Sequence, residues 1–152
     1  MNETEQLVFQ NAKFGEVSVK TQDILEFPDG IPGFERFKRF GLVTIEEEDP
    51  FIRLLSIEEP RLGFVLVNPM LIWPEYNPEI GAEDLQGLDF TDADEMAVYC
   101  IVTLSAVPTE VTVNLKGPIF VNLRTMKARQ MILMDENYQT KHSILATSQD
   151  QG

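Results

Sequence analysis

The residues best suited to covalent chemistry are few: one histidine, His142, and one cysteine, Cys100, in 152 residues. A nucleophile needs an activating base beside it. Cys100 lies in the apolar run "MAVYCIVTL" between Tyr99 and Ile101, where burial raises a thiol pKa and leaves it inert. His142 follows Lys141, whose charge opposes proton uptake, and a solvent-exposed imidazole is expected. Carboxylates are plentiful. "EEED" (46–49) and "DADE" (92–95) supply hard oxygen ligands. Neither has the glycine and the distant bidentate glutamate of a calcium loop, so both are expected to be solvated turns. With 25 acids, chance carboxylate pairs are expected, and glycosidase-type pairing has no sequence signal. No glycine-rich phosphate loop follows a strand. No catalytic residue, metal or cofactor is expected.

The elements that would position any site are short strands. "EVSVK" alternates, with Val17 and Val19 on one face and Glu16, Ser18 and Lys20 on the other. "DILEF", "GLVTIE", "FIRLLSI", "VTVNL", "IFVNL" and "ARQMILM" continue the pattern, with turn signals between them. "LGFVLVN" and "MAVYCIVTL" are apolar on both faces and are expected to be central, doubly covered strands. This spacing predicts an all-β fold: one small β-barrel-like domain of antiparallel strands over 1–146, with a frayed tail at 147–152. The stretch 68–95 departs from strand logic. It holds Pro69, Pro74, Pro78 and eight acids, and within it "GAEDLQGL" is expected to form one or two helical turns. An insertion of this length is functional or disordered, and Trp73 and Tyr76 argue against disorder.

Composition narrows the partners. The net charge is −13. Residues 62–115 hold nine acids and no Lys or Arg. Such a surface repels phosphate backbones and draws basic proteins. An OB-type barrel that binds single strands needs a basic groove with stacking aromatics, so direct nucleic-acid binding is not expected. No run of about 18 apolar residues is present, and the first residues lack a basic start with a long apolar stretch. No membrane association and a cytoplasmic location are expected, and the lone cysteine fits a reducing compartment.

Four segments occur in order: "FPDGIPGFE" (27–35), "LGFVLVNP" (62–69) followed by Tyr76, "VTVNLKGPIFVN" (111–122) and "RQMILMDENYQTKH" (129–142). Together they resemble the flagellar assembly factor family, FliW. Gly117 in "KGP" stands where other members often carry a different small residue. The resemblance implies a small, cytoplasmic, non-enzymatic β-barrel-like protein. It implies binding to the carbon storage regulator CsrA, an RNA-binding dimer that represses flagellin translation, and to flagellin itself. Capture of the regulator, away from its RNA groove and on its C-terminal extension, would lift the repression. A monomer is expected when no partner is bound.

The expected partner site lies where the chain leaves barrel logic: Asn68, Pro69, Glu75, Tyr76 and Asn77, with Glu79 in support. Asn68 and Pro69 match the family's "NP" step, and Glu75 and Tyr76 match its "EY" pair. Glu46, Glu47 and Glu48 rest on charge alone. Trp73, the only tryptophan, is either an interface anchor or a residue packed on the barrel wall. Two rivals stand beside this reading: a flagellin chaperone without a regulatory role, and a small hydrolase with a carboxylate site.

"FPDGIPGFERF" (27–37) is expected to be structural. Pro28 suits position i+1 of a type I turn with Gly30 at i+3, and Pro32–Gly33 suits the centre of a type II turn. Phe27, Phe34 and Phe37 would then fold back onto the barrel end as a plug.

Overall fold

The computed structural model describes residues 5–91 and 95–144. Two strands, β1 (Gln6–Asn11) and β2 (Gly15–Lys20), form a hairpin of their own. Its register pairs Phe9 with Val17 and Leu7 with Val19. Alternation buries Val17 and Val19 and exposes Glu16, Ser18 and Lys20, as the period-2 pattern requires. Phe9, Val17 and Val19 pack with Leu55, so the hairpin lies against the barrel. Asn11 tightens its turn by accepting the N–H groups of Lys13 and Phe14 at 2.8 and 2.9 Å.

The barrel is built from β3 (Ile24–Glu26), β4 (Arg39–Thr44), β5 (Ile52–Ser56), β6 (Gly63–Val67), β7 (Met96–Thr103), β9 (Ile119–Asn122) and β10 (Lys127–Gln130). Each pairs with the next in the order β7-β6-β5-β4-β3-β10-β9, and β9 pairs back on β7, closing seven strands into a ring. β8 (Thr112–Val113) and β11 (His142–Ser143) extend the sheet beyond β7. One seam departs from the expected antiparallel scheme. β3 and β10 run parallel and share the single pair Lys127–Glu26, supported by the Glu26 N–H donating to the Met126 carbonyl at 2.9 Å.

The long strand β7 explains the closure. Its first half pairs with β9 (Val98 opposite Phe120), its second half with β8 (Val102 opposite Val113), and its other edge with β6 (Leu66 opposite Ile101). Both β6 and β7 are covered on two faces. Leu66, Ala97, Tyr99 and Ile101 contribute to the interior with Leu25, Phe27, Phe40, Leu54, Ile119 and Val121. Val65, Val67, Cys100 and Val102 face a second cluster with Trp73, Tyr76, Leu115 and Leu133. The segment between β6 and β7 therefore packs on the outer wall of the barrel. It contains a 3-10 turn, Pro69–Leu71, and one short helix, α1 (Ala82–Gly87), where "GAEDLQGL" predicts helical turns.

The corner 27–37 folds as three successive turns. The N–H groups of Gly30, Phe34 and Phe37 donate to the carbonyls of Phe27, Ile31 and Phe34 at 2.8, 2.7 and 3.1 Å. Gly30 and Gly33 both take positive φ, +72° and +91°. Phe27 is fully buried with its ring 5.4 Å from that of Phe40, edge to face, and Phe37 packs against the same core. Phe34 meets the plug expectation only in part. Its ring rests on Phe64 at 5.6 Å, yet the residue stays exposed.

Other differences have plain causes. The apolar run "ARQMILM" stops being a strand of the barrel at Gln130, because Pro118 offers the facing segment no N–H. The hairpin strand β1 carries no expectation from sequence, since its polar residues dilute the alternation of Leu7 and Phe9. His142 is buried rather than solvent-exposed, because its ring meets Trp73 across the fold. The tail 147–152 and most of "DADE" lie outside the described residues. Among the described residues no helix is long and apolar enough to cross a membrane.

Candidate functional site

The candidate site begins where β6 ends. Asn68 stays extended and its side-chain oxygen accepts the Met70 N–H at 3.0 Å, capping the turn Pro69–Leu71. Pro69 takes the first position of that turn, where no N–H is needed. The Trp73 N–H then donates to the Pro69 carbonyl at 2.8 Å, and the Tyr76 N–H to the Trp73 carbonyl at 2.9 Å. These bonds coil the chain tightly and turn both aromatic rings inward.

Trp73 is 5% exposed, with its ring perpendicular to that of His142 at 4.9 Å. Tyr76 is equally buried. Its hydroxyl donates to the Leu115 carbonyl at 2.7 Å, and the Cys100 sulfur lies 3.9 Å from it. Burial raises the pKa of the Tyr76 hydroxyl and pushes the Cys100 thiol up to about 12. Both groups stay neutral and serve as structure. Tyr138 packs its ring on Tyr76 at 4.7 Å, and its hydroxyl accepts the Asn77 N–H at 3.1 Å. His142, desolvated beside Trp73, has a lowered pKa and favours the neutral imidazole.

The sequence-expected residues thus divide in two. Pro69, Trp73 and Tyr76 are buried and Asn68 is half-buried, and together they anchor the segment. Glu75, Asn77 and Glu79 are exposed and form its outward face. Glu75 borders a small cleft of about 110 Å³ with Trp73, Tyr76, Tyr138 and His142. Asn77 and Glu79 border a larger groove of about 600 Å³ whose other wall is the run 131–135.

The turn acids are positioned differently. Glu46–Glu48 form a 3-10 turn between β4 and β5. Glu48 is engaged with Arg53 through two bonds of 2.9 Å, Nε to Oε1 and Nη2 to Oε2, and this pairing holds its carboxyl below the usual range. Arg53 lies over the Phe14 ring at 5.4 Å, so Glu48 helps fix the hairpin to the barrel. Glu46 and Glu47 remain exposed. Glu47 and Glu48 border a separate hollow with Phe51, Val65 and Leu104.

Sequence reasoning missed Tyr138, Leu115 and the wall 131–135. Tyr138 lies inside the segment "RQMILMDENYQTKH", but its contact with Tyr76 spans more than sixty residues and leaves no local trace. Among the described residues no group of three or more His, Cys, Asp or Glu side chains could hold a metal ion. The arrangement offers exposed carboxylates, an amide and apolar grooves on a braced frame, which suits recognition of another chain.

A family model described as FliW protein matches residues 8–144. A flagellar assembly factor FliW of Thermotoga neapolitana is 38% identical over 133 residues, covering 87% of this chain and 89% of that protein. Its counterpart in Bacillus pumilus is 35% identical over 142 residues, covering 93% and 99%. A crystal structure of the flagellar assembly factor FliW superposes with a TM-score of 0.81 at 34% identity, covering 93% of this chain and 98% of that one. The solved structure shares the fold, the relatives and the family model share the sequence over most of the chain, and the chain belongs to the FliW family of flagellar assembly factors.

Proposed function

We propose that this flagellar assembly factor is a cytoplasmic partner switch without enzymatic activity. It captures the carbon storage regulator CsrA, relieves repression of flagellin translation, and is occupied in turn by flagellin. The carrying observation is the segment after β6. It is braced from within by Trp73 and Tyr76, and it presents Glu75, Asn77 and Glu79 from a stretch, 62–115, that has no Lys or Arg. Acids on a braced support steer a basic RNA-binding protein and fix its register without competing for RNA. Glu46 and Glu47 extend the acidic field from a separate turn.

Titration calorimetry with purified regulator tests this reading. Binding is expected at low ionic strength, with association slowing as salt rises. Flagellin should weaken the regulator's affinity, and the regulator should weaken flagellin's by the same factor. A ternary complex with unchanged affinities would refute the switch. The chaperone reading draws support from the exposed apolar residues Met70 and Leu71 beside the site. It predicts salt-insensitive flagellin binding and no regulator complex.

A further inference from the structure

The run 131–134 follows β10 and hydrogen-bonds along one edge only. The Met131 N–H donates to the Pro118 carbonyl at 2.9 Å and the Leu133 N–H to the Lys116 carbonyl at 2.8 Å. In an extended chain the intervening residues turn their N–H and C=O groups to the opposite edge. Among the described residues, no partner meets the N–H of Ile132 or Met134 or the Ile132 carbonyl. The side chains alternate too. Met131 and Leu133 are buried, whereas Ile132 is 62% exposed and Met134 90%. This run lines the open groove of about 600 Å³ together with Asn77, Glu79 and Ile80. Glu79 and Asp135 line it, while Lys116 sits on the paired side with its Nζ 3.5 Å from the Asp135 carbonyl.

An unpaired strand edge is a template for another strand. Here it combines apolar side chains that a neighbour would cover with carboxylates that would meet its charge. We propose that this groove is a strand-addition site. It takes an extended segment of a partner protein that pairs with the backbone of Ile132 and Met134. That segment places apolar side chains over Ile132 and Met134 and a Lys or Arg against Glu79 and Asp135. The four-residue edge spans about 13 Å, so the pairing is short and the side chains set the specificity. The site shares Asn77 and Glu79 with the face proposed above, and it rests on that reading only to this extent.

A capped octapeptide alternating valine and lysine, added to the full chain, tests the site independently of regulator and flagellin. Hydrogen exchange followed by NMR should show the amides of Ile132 and Met134 slowing at least tenfold on saturation. The same peptide with N-methylated backbone amides should bind at least tenfold more weakly, and so should one with glutamate in place of lysine. Ile132→Pro removes an N–H that supports no native bond, so it should abolish peptide binding while the melting temperature changes little. If that variant fails to fold, the exchange result on the native chain still decides. Unchanged exchange at both amides, or equal binding of the N-methylated peptide, overturns the proposal. So does protection of both amides without peptide that grows with protein concentration, which would mean that a second copy covers the edge.

Discussion

The corner 27–37 and the outer-wall segment that begins at Asn68 are both irregular, both rich in proline, and both carry aromatic rings. Both coil through backbone turns, and they differ in what is added to those turns. In the corner the backbone bonds to itself in three successive turns, and Gly30 and Gly33 supply the backbone angles those turns need. Phe27 is fully buried in the core and Phe37 packs against it, while Phe34 stays exposed. The outer-wall segment also bonds to itself from Asn68 to Tyr76, but side chains add to those turns and tie it to the rest of the fold. Asn68 caps its first turn, Tyr76 reaches the Leu115 carbonyl, and farther along Asn122 Nδ2 donates to the Leu88 carbonyl at 3.0 Å. A segment anchored by buried side chains can present its remaining positions, such as Glu75, Asn77 and Glu79, without losing its shape.

Glycine substitutions should break the corner hardest. A Cβ on Gly30 would stand 2.7 Å from the Glu35 carbonyl oxygen, and φ there is +72°. Left-handed backbone costs an L-residue about 1–2 kcal/mol, and overpacking adds about 1–3. Gly30→Val should therefore lose about 2–5 kcal/mol in urea unfolding. Gly33 has the same sign of φ but open space around its Cβ position, so Gly33→Val should lose only about 1–2 kcal/mol. Neither should alter regulator binding at a temperature where the variant is folded. A fold-neutral Gly33→Val that loses binding would make the corner functional instead.

In the outer-wall segment the matching change is Tyr76→Phe. It deletes a buried 2.7 Å hydrogen bond and leaves the Leu115 carbonyl short of that donor, a cost of about 1–2 kcal/mol. Equal stability of the variant in urea would show that the segment is not anchored by this bond.

The two regions also differ in how far the sequence discloses them. The corner was legible because turn chemistry is local: "FPDG" and "IPGF" carry proline and glycine at the spacings that the observed bonds use. The strand pattern was legible for the same reason, since Val17 and Val19 alternate with polar neighbours. The outer-wall segment was recognisable only as an exception. Which of its residues face inward depends on Leu115, Tyr138 and His142, which arrive late in the chain. His142 shows the limit plainly. Beside Lys141 it looks solvent-facing, and only Trp73, distant in sequence, buries it. The run 131–134 shows the same limit, for its apolar alternation reads as a strand whether or not a second edge is paired.

Acid should loosen the outer-wall contact of His142 first and the bonded carboxylates Glu48 and Glu58 second. Burial lowers the His142 pKa below 6.5, so the unfolded chain takes up that proton first. Its contribution is complete above about pH 6.5 and fades as pH falls through the folded value. Arg53 lowers the pKa of Glu48, and the backbone N–H groups of Arg39 and Lys38 lower that of Glu58, both from 4.5. Their contributions are complete above about pH 4.5 and are lost as pH falls further. The melting temperature should decline in two steps between about pH 7 and pH 3, and His142→Gln should remove the upper one. A single step near pH 4 in the native chain would show that His142 is not desolvated.

The smallest expected effect is optical. Trp73 is the only tryptophan and is 5% exposed, so its emission reports the anchored side of the segment rather than its outward face. If the segment is a rigid support, regulator binding to Glu75 should leave the emission maximum nearly unchanged. Emission should instead follow pH, because protonation of the neighbouring His142, 4.9 Å away, alters the field at the indole ring. Glu75→Lys should weaken regulator binding at least tenfold, since losing an attraction of about 1.4 kcal/mol is already a tenfold loss and the reversed charge adds to it, with no change in emission or melting temperature. A red shift on binding would mean that the partner pulls Trp73 toward water, so that the segment opens rather than presents. Unchanged affinity in Glu75→Lys would move the contact away from this residue, toward the groove beside Ile132 or the turn acids Glu46 and Glu47.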